Sequence, residues 1–167
     1  VNVETAIVGG AALLLLAAGL AKGRDPVPTE QALAALGWPS RPPLVRLLAV
    51  AEIVIAIGTL LGPVRWFGAA LGLLHIGFAV FVVGALARDT PLSSCGCFGR
   101  ADTPPTPVHV VANAVIAAVA LLAAAADAPS PYSEWGRALG PSAASLALSV
   151  ATAAVGYLVL AVLPRRR

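Results

Sequence analysis

Five apolar runs, each close to the length that crosses a bilayer, leave this chain few ways to fold. They cover Thr5–Ala21, Leu44–Leu61, Val64–Ala87, Val108–Ala126 and Ser142–Leu163. A helix needs about 20 apolar residues to cross a hydrocarbon core of about 30 Å. None of the runs alternates apolar and polar residues as a transmembrane β-strand does. In lipid every backbone polar group must be paired within its own segment, so each run is predicted to be a helix. The expected fold is all-α: a polytopic membrane bundle of about five transmembrane helices forming a single domain over residues 1–167. Composition agrees, because only 11% of the residues are charged against about 25% in a soluble domain. The surface of such a chain is predicted to face the lipid bilayer. The net charge of +3 does not point to nucleic acid, since the basic residues sit at the ends of the runs rather than in a patch.

The first run has the wrong flanks for a signal peptide, which carries its positive charge before the apolar core. Here Glu4 precedes the core while Lys22 and Arg24 follow it, so a retained helix with its N-terminus outside is expected. Gly68, Gly72 and Gly77 read either as a small-residue stripe for close helix contact or as glycines that lipid tolerates. Two connections are long. Lys22–Pro43 is predicted to hold a short surface helix over roughly Thr29–Leu36, with Thr29 as N-cap, Glu30 in the first turn and Gly37 as the stop. Ala32, Leu33 and Leu36 would share its apolar face, and Trp38 follows as an interfacial anchor. The other connection, residues 88–107, has four prolines and two glycines, which forbid a continuous helix.

Alternating the five helices across the membrane puts Lys22, Arg24, Arg41, Arg46, Arg88, Arg100 and Arg165–Arg167 on one side, and only Arg65 and Arg137 on the other. The positive-inside rule makes the crowded side cytoplasmic. A multi-pass protein of the cell membrane is expected, with the C-terminus and the 88–107 loop inside.

That loop holds the chain's two cysteines, Cys95 and Cys97, separated by Gly96. Structural cysteines of a bundle tend to lie buried on helices; these lie in a Pro/Gly-rich loop, and a redox pair is the expected role. A Cys-Gly-Cys disulfide closes a very small ring, and strained disulfides are readily reduced. Arg100, and Arg88 across the loop, would favour a thiolate. The competing use of two thiolates is metal binding, which needs further soft or nitrogen ligands. Only His75 and His109 are available and the chain has no methionine, so no metal site is expected. His109 is placed to act as a proton acceptor near the thiols. Three polar residues fall inside the predicted helices: Glu52, His75 and Asn113. A carboxylate at mid-bilayer costs about 2.5–3.5 kcal/mol on insertion scales. Glu52 is therefore predicted to face the bundle interior, with His75 as its partner and Asn113 completing a polar cluster. The plainer reading of all three is hydrogen-bonding glue between helices.

The stretches GLAKGRDP (Gly19–Pro26), AEIVIAIGTLLG (Ala51–Gly62, with Glu52) and CGCFG (Cys95–Gly99) together resemble the DoxX-like superfamily of small membrane proteins. Within it, they resemble the MauE family of methylamine utilisation proteins. CGCFG is the most specific element, and the resemblance spans roughly Thr5–Ala126. It implies a redox-associated membrane protein that helps a thioredoxin-fold partner form or keep disulfides, as in maturation of the methylamine dehydrogenase small subunit. It carries Cys95 and Cys97 over as the catalytic pair and Glu52 as a polar position without an assigned role. No cofactor-binding residue follows from it; a quinone is the electron acceptor such chemistry would admit. Two other functions compete: a non-catalytic assembly factor, and a small-molecule carrier using Glu52 and His75. Disulfide formation belongs on the oxidising, extracytoplasmic side, while the charge count puts the loop inside. Either the count misleads, or the loop dips into the bundle, or the pair senses the cytosol.

Overall fold

Proline marks where the helices begin. A proline removes a backbone donor that the first turn of a helix does not use, and its fixed φ suits that turn. In the computed structural model, which describes residues 3–88, 104–135 and 141–158, every helix after the first starts at or beside one. Helix α1 is Val3–Arg24, and α2 (Val27–Ala35) follows Pro26 and carries Pro28 in its first turn. Helix α3 (Pro42–Leu61) opens on Pro42 and Pro43, α4 (Val64–Ala87) follows Pro63, and α5 (Pro107–Ala125) opens on Pro107. The short α6 (Pro131–Trp135) and α7 (Pro141–Tyr157) begin the same way.

The helix ends are equally local. After α2, Gly37 takes φ +73°, its N–H donates to the Ala34 carbonyl and that of Trp38 donates to Leu33. This paired closure uses the left-handed conformation that glycine adopts without strain. The end of α5 closes identically, with Asp127 at φ 49° and bonds from Asp127 to Ala124 and from Ala128 to Ala123. Between α3 and α4 only Gly62 and Pro63 intervene, forming a tight antiparallel hairpin.

Helices α1, α3, α4 and α5 are long and apolar enough to cross a membrane, and Ala143–Tyr157 is a shorter apolar helix. The protein is an all-helical, multi-pass membrane bundle, as expected. Helices α1, α3, α4 and α5 cover the first four apolar runs to within a residue, and the predicted end of the fifth, Leu163, lies outside the described residues. The surface helix starts two residues before Thr29, which is buried within the helix rather than capping it. Helix α6 was not expected; it lies against α1, α3 and α7.

Helix α1 is the centre of the bundle. It packs against α3, α5, α6 and α7, and small residues set the spacing. A Cβ on Gly19 would sit 2.9 Å from the Ala49 carbonyl of α3, and one on Gly10 would sit 2.9 Å from the Ser149 carbonyl of α7. Gly10 meets Thr152 while Leu14 meets Gly156, so α7 runs parallel to α1. On α4, Gly68 and Gly72 face α5: a Cβ on Gly72 would lie 2.7 Å from Leu121. Gly77 does not join that stripe, having nothing within 4 Å of a built Cβ.

At the end of the bundle where α1 and α4 finish and α3 and α5 begin, α2 folds back over α4. Ala32 and Leu36 are buried there with Phe81, Val82 and Ala85, and Leu33 and Val110 pack around them. Trp38 meets Phe81 edge to face, at 5.6 Å between centroids and 80° between planes. Arg88 donates from Nη1 to the Leu36 carbonyl at 2.7 Å, tying the end of α4 to the end of α2.

Candidate functional site

Of the polar side chains predicted to matter, His109 lies at this α2 end, in the first turn of α5, Asn113 lies one turn further along, and Glu52 and His75 lie midway along α3 and α4. The segment that holds the cysteines connects Arg88, after α4, to residue 104, before the start of α5. Both attachment points lie at the α2 end. Cys95, Cys97 and Arg100 themselves fall outside the described residues, as does the C-terminal Arg165–Arg167 tail.

Glu52 faces the interior as its insertion cost demanded, and it is fully buried. The partner that the structure gives it is Lys22, from the last turn of α1, rather than His75. The Lys22 Nζ lies 3.0 Å from Oε1 and 3.1 Å from Oε2. It donates a hydrogen bond to Oε2, while Oε1 accepts none among the described residues. Both side chains are almost wholly withdrawn from the surface, at 3% and 0% exposure. The ammonium also lies 5.7 Å from the centroid of the Phe78 ring of α4, a distance at which the negative face of the ring attracts a cation.

Lys22 was read from sequence as a terminal charge that fixes orientation. The signal for its other role is helical spacing. Leu15, Ala18 and Gly19 are buried on α1, and Lys22 continues that stripe at three, four and seven residues on. The close approach at Gly19 brings the α3 backbone near enough for the Lys22 side chain, which leans back toward its own N-terminus, to reach Glu52.

His75 is buried on α4 and its Nδ1 lies 2.9 Å from the Leu71 carbonyl. A carbonyl only accepts, so Nδ1 carries the proton. The ring meets Phe78 edge to face at 5.7 Å. Asn113 donates to the His109 carbonyl at 2.7 Å. Each of these two thus bonds to its own helix, one turn back, and the expected three-residue cluster with Glu52 does not form through these bonds. His109 is buried in the first turn of α5. Its Nδ1 accepts from the Thr106 N–H at 3.2 Å and lies 2.8 Å from Thr106 Oγ1. The backbone N–H only donates, so Nδ1 is the acceptor and Nε2 the protonated nitrogen of the neutral ring. His109 thus takes part in the cap of α5, and accepting a thiol proton at Nδ1 would break that cap. Arg88, offered as a thiolate neighbour, donates from Nη1 to the Leu36 carbonyl, and the cysteines it was expected to face lie outside the described residues.

Beside the ion pair runs a cleft of about 200 Å³, walled by α2, α3 and α4. Its lining is apolar apart from Lys22 and Thr29.

The profile of the family described as Methylamine utilisation protein MauE matches residues 2–126. The chain belongs to the MauE family. The match takes in the ion pair, the cleft and the cysteine segment, and stops at the end of α5. Helices α6 and α7 stand outside the MauE-matched region. Neither a search of the curated proteins nor one of the solved structures finds a match. Membership makes this a membrane protein of the methylamine-utilisation type.

Proposed function

We propose that the protein is a membrane thiol–disulfide exchange component that forms or maintains disulfides in a thioredoxin-fold partner. The observation that carries the reading is the Cys-Gly-Cys sequence in the segment between Arg88 and residue 104 of a MauE-family bundle. In the exchange, a thiolate of the partner attacks one sulfur of the Cys95–Cys97 disulfide. The other sulfur leaves as a thiolate and a mixed disulfide forms. The partner's second thiolate then displaces the bound cysteine. The partner is oxidised by two electrons, and Cys95 and Cys97 end as a dithiol carrying those two electrons and two protons. A second two-electron acceptor must restore the disulfide. The methylamine dehydrogenase small subunit is the disulfide-rich client that the family's role implies.

Charge distribution supports a cytoplasmic C-terminus in the cell membrane, although one cation leaves the count. Lys22 is neutralised by Glu52, which reduces the majority side from nine basic residues to eight, against two. The direction of the bias survives. The carrier reading loses support from the same pair, because the Glu52 carboxylate is engaged by Lys22 instead of standing open to cargo.

The deciding experiment replaces both cysteines with serine in cells that require the protein. Loss of client disulfides is the expected result, with protein level unchanged. Normal client oxidation in the Cys95→Ser/Cys97→Ser variant would refute the thiol role and leave the assembly-factor reading. Labelling intact cells with a membrane-impermeant maleimide reads the side of the loop in the same strain.

A further inference from the structure

We propose that the cleft between α2, α3 and α4 seats an acyl chain of an anionic phospholipid, whose headgroup lies at the arginines of the α2 end. The shape of the cleft selects a chain. Its α4 wall is Leu74, Gly77, Phe78 and Phe81, which recur at three, four and seven residues and so form one stripe along the helix. Seven residues of helix rise about 10 Å, so the cleft is a furrow running lengthwise along α4. A cavity of about 150 Å³ accepts the six carbons of benzene, so the furrow holds a stretch of about eight chain carbons in its volume of about 200 Å³. A helix, about 10 Å across, is too wide to enter. Chemistry agrees with shape. The Lys22 ammonium is engaged by Glu52, Thr29 is buried on α2, and the rest of the lining is apolar. Such a wall offers an occupant dispersion contact alone, and an empty furrow would forfeit that contact along its whole length.

The two ends of the furrow differ. Trp38 lines it and meets Phe81 edge to face, so the Phe81 end is the one beside α2, and Leu74 marks the deep end. Trp38 is exposed, as suits an indole at headgroup level. Gly77 is exposed as well, so the furrow opens sideways toward lipid. An occupant that enters from the bilayer has its tail toward Leu74 and its polar end at Trp38, which describes a lipid. The charges around that end set the sign of its head. Arg24, Arg41, Arg46 and Arg88 are exposed there, against the exposed Asp25 and the half-buried Glu30 among the described residues. Lys22 and Glu52 balance each other in the interior. Arg41 is the best placed of the four. It precedes the first turn of α3, three residues after Trp38 and seven before Leu48, which lines the furrow. Basic groups beside a pocket between membrane helices attract anionic headgroups. A seated lipid also braces α2 against α4, whose following residue, Arg88, holds the Leu36 carbonyl. The site stands on the furrow and the arginines and is independent of the thiol–disulfide role.

Gly77 and Arg41 let tail and head be tested apart. A Cβ on Gly77 would meet nothing within 4 Å, so a larger side chain enters the furrow without moving the backbone. Gly84, on the same helix, is equally open and does not line the furrow. The probe is phosphatidylglycerol carrying bromine atoms on its acyl chains, a contact quencher of tryptophan. It is titrated in detergent against Trp66→Phe/Trp135→Phe protein, in which Trp38 is the remaining tryptophan. Saturable quenching is expected. Brominated phosphatidylcholine, whose head is zwitterionic, should bind at least about tenfold more weakly. Arg41→Gln should weaken phosphatidylglycerol about fivefold and leave phosphatidylcholine unchanged. Gly77→Leu should weaken both lipids at least about tenfold, and Gly84→Leu neither. Leu48→Phe, from the α3 wall, should match Gly77→Leu and decides the matter if that variant does not fold. Quenching that does not saturate, or that survives both filling substitutions, overturns the site. Equal affinity for the two lipids overturns the anionic assignment. Free glycerol 3-phosphate should not compete; displacement of the lipid by it would put the anion on the arginines alone and overturn the seat for the chain.

Discussion

Glu52 and Asn113 are both buried polar residues on apolar helices, and they satisfy their polar atoms in opposite ways. Glu52 on α3 reaches across to Lys22 on α1, so its charge is balanced only when two helices dock. Asn113 on α5 turns back to the His109 carbonyl of its own helix, as His75 does to Leu71 on α4. A helix that satisfies its own polar side chain can enter lipid alone. One that carries an unpaired carboxylate cannot do so without a cost comparable to a large part of a small protein's stability. The first arrangement therefore couples helices energetically, and the second makes little demand on its neighbours.

The contrast is breakable by substitution. The largest effect is expected at the ion pair. Glu52→Ala leaves the Lys22 ammonium buried without its counter-charge and should lower stability by about 3 kcal/mol, read by denaturant unfolding in detergent. Lys22→Met should cost a similar amount. A change below about 1 kcal/mol in both would mean that the pair is hydrated and uncoupled. Next comes the double variant Lys22→Met/Glu52→Leu, which removes both charges. It should return to within about 1 kcal/mol of the parent, and the thermodynamic cycle should show strong coupling. Additive losses would contradict a direct interaction between the two residues. His75→Phe removes one intrahelical hydrogen bond and should shift stability by no more than about 1 kcal/mol. Smallest is Asn113→Leu, at about 0.6 kcal/mol, the average for a side-chain hydrogen bond in a membrane helix bundle. A loss at Asn113 as large as that at Glu52 would erase the distinction, because it would reveal a partner on another helix.

How much of this was legible beforehand follows from the range over which each signal acts. Helix length and hydropathy are local, so the spans could be read directly, and so could the stop at Gly37. The inward orientation of Glu52 followed from solvation cost alone. Its partner did not. Lys22 carries two messages at one position, a charge after an apolar run and the next place on a buried stripe, and the first is the more familiar. Choosing His75 instead assumed that polar residues on apolar helices seek each other, whereas the backbone carbonyl one turn back is nearer. The end of α5 was legible only approximately, since Asp127 takes the left-handed position where glycine is the usual marker. Thr29 looked like a cap because threonine often caps, but Pro26 and Pro28 start α2 earlier. The cleft had no sequence signature at all. It is what remains when α2 folds onto α4 and Gly77 contributes no side chain.

The central place of α1 sets a schedule for assembly. Of the described helices it is made before the others, and the faces it will bury belong to segments made later. Its lysine waits for α3 to bring the carboxylate, and the groove at Gly10 waits for α7, after the six preceding helices have been synthesised. Until then the translocon or surrounding lipid must shield a helix that is ultimately the most enclosed of the membrane-length spans. Membrane insertion and bundle closure are consequently separate events for this chain, and a nascent protein stalled before residue 141 would hold an inserted α1 with one flank still uncovered.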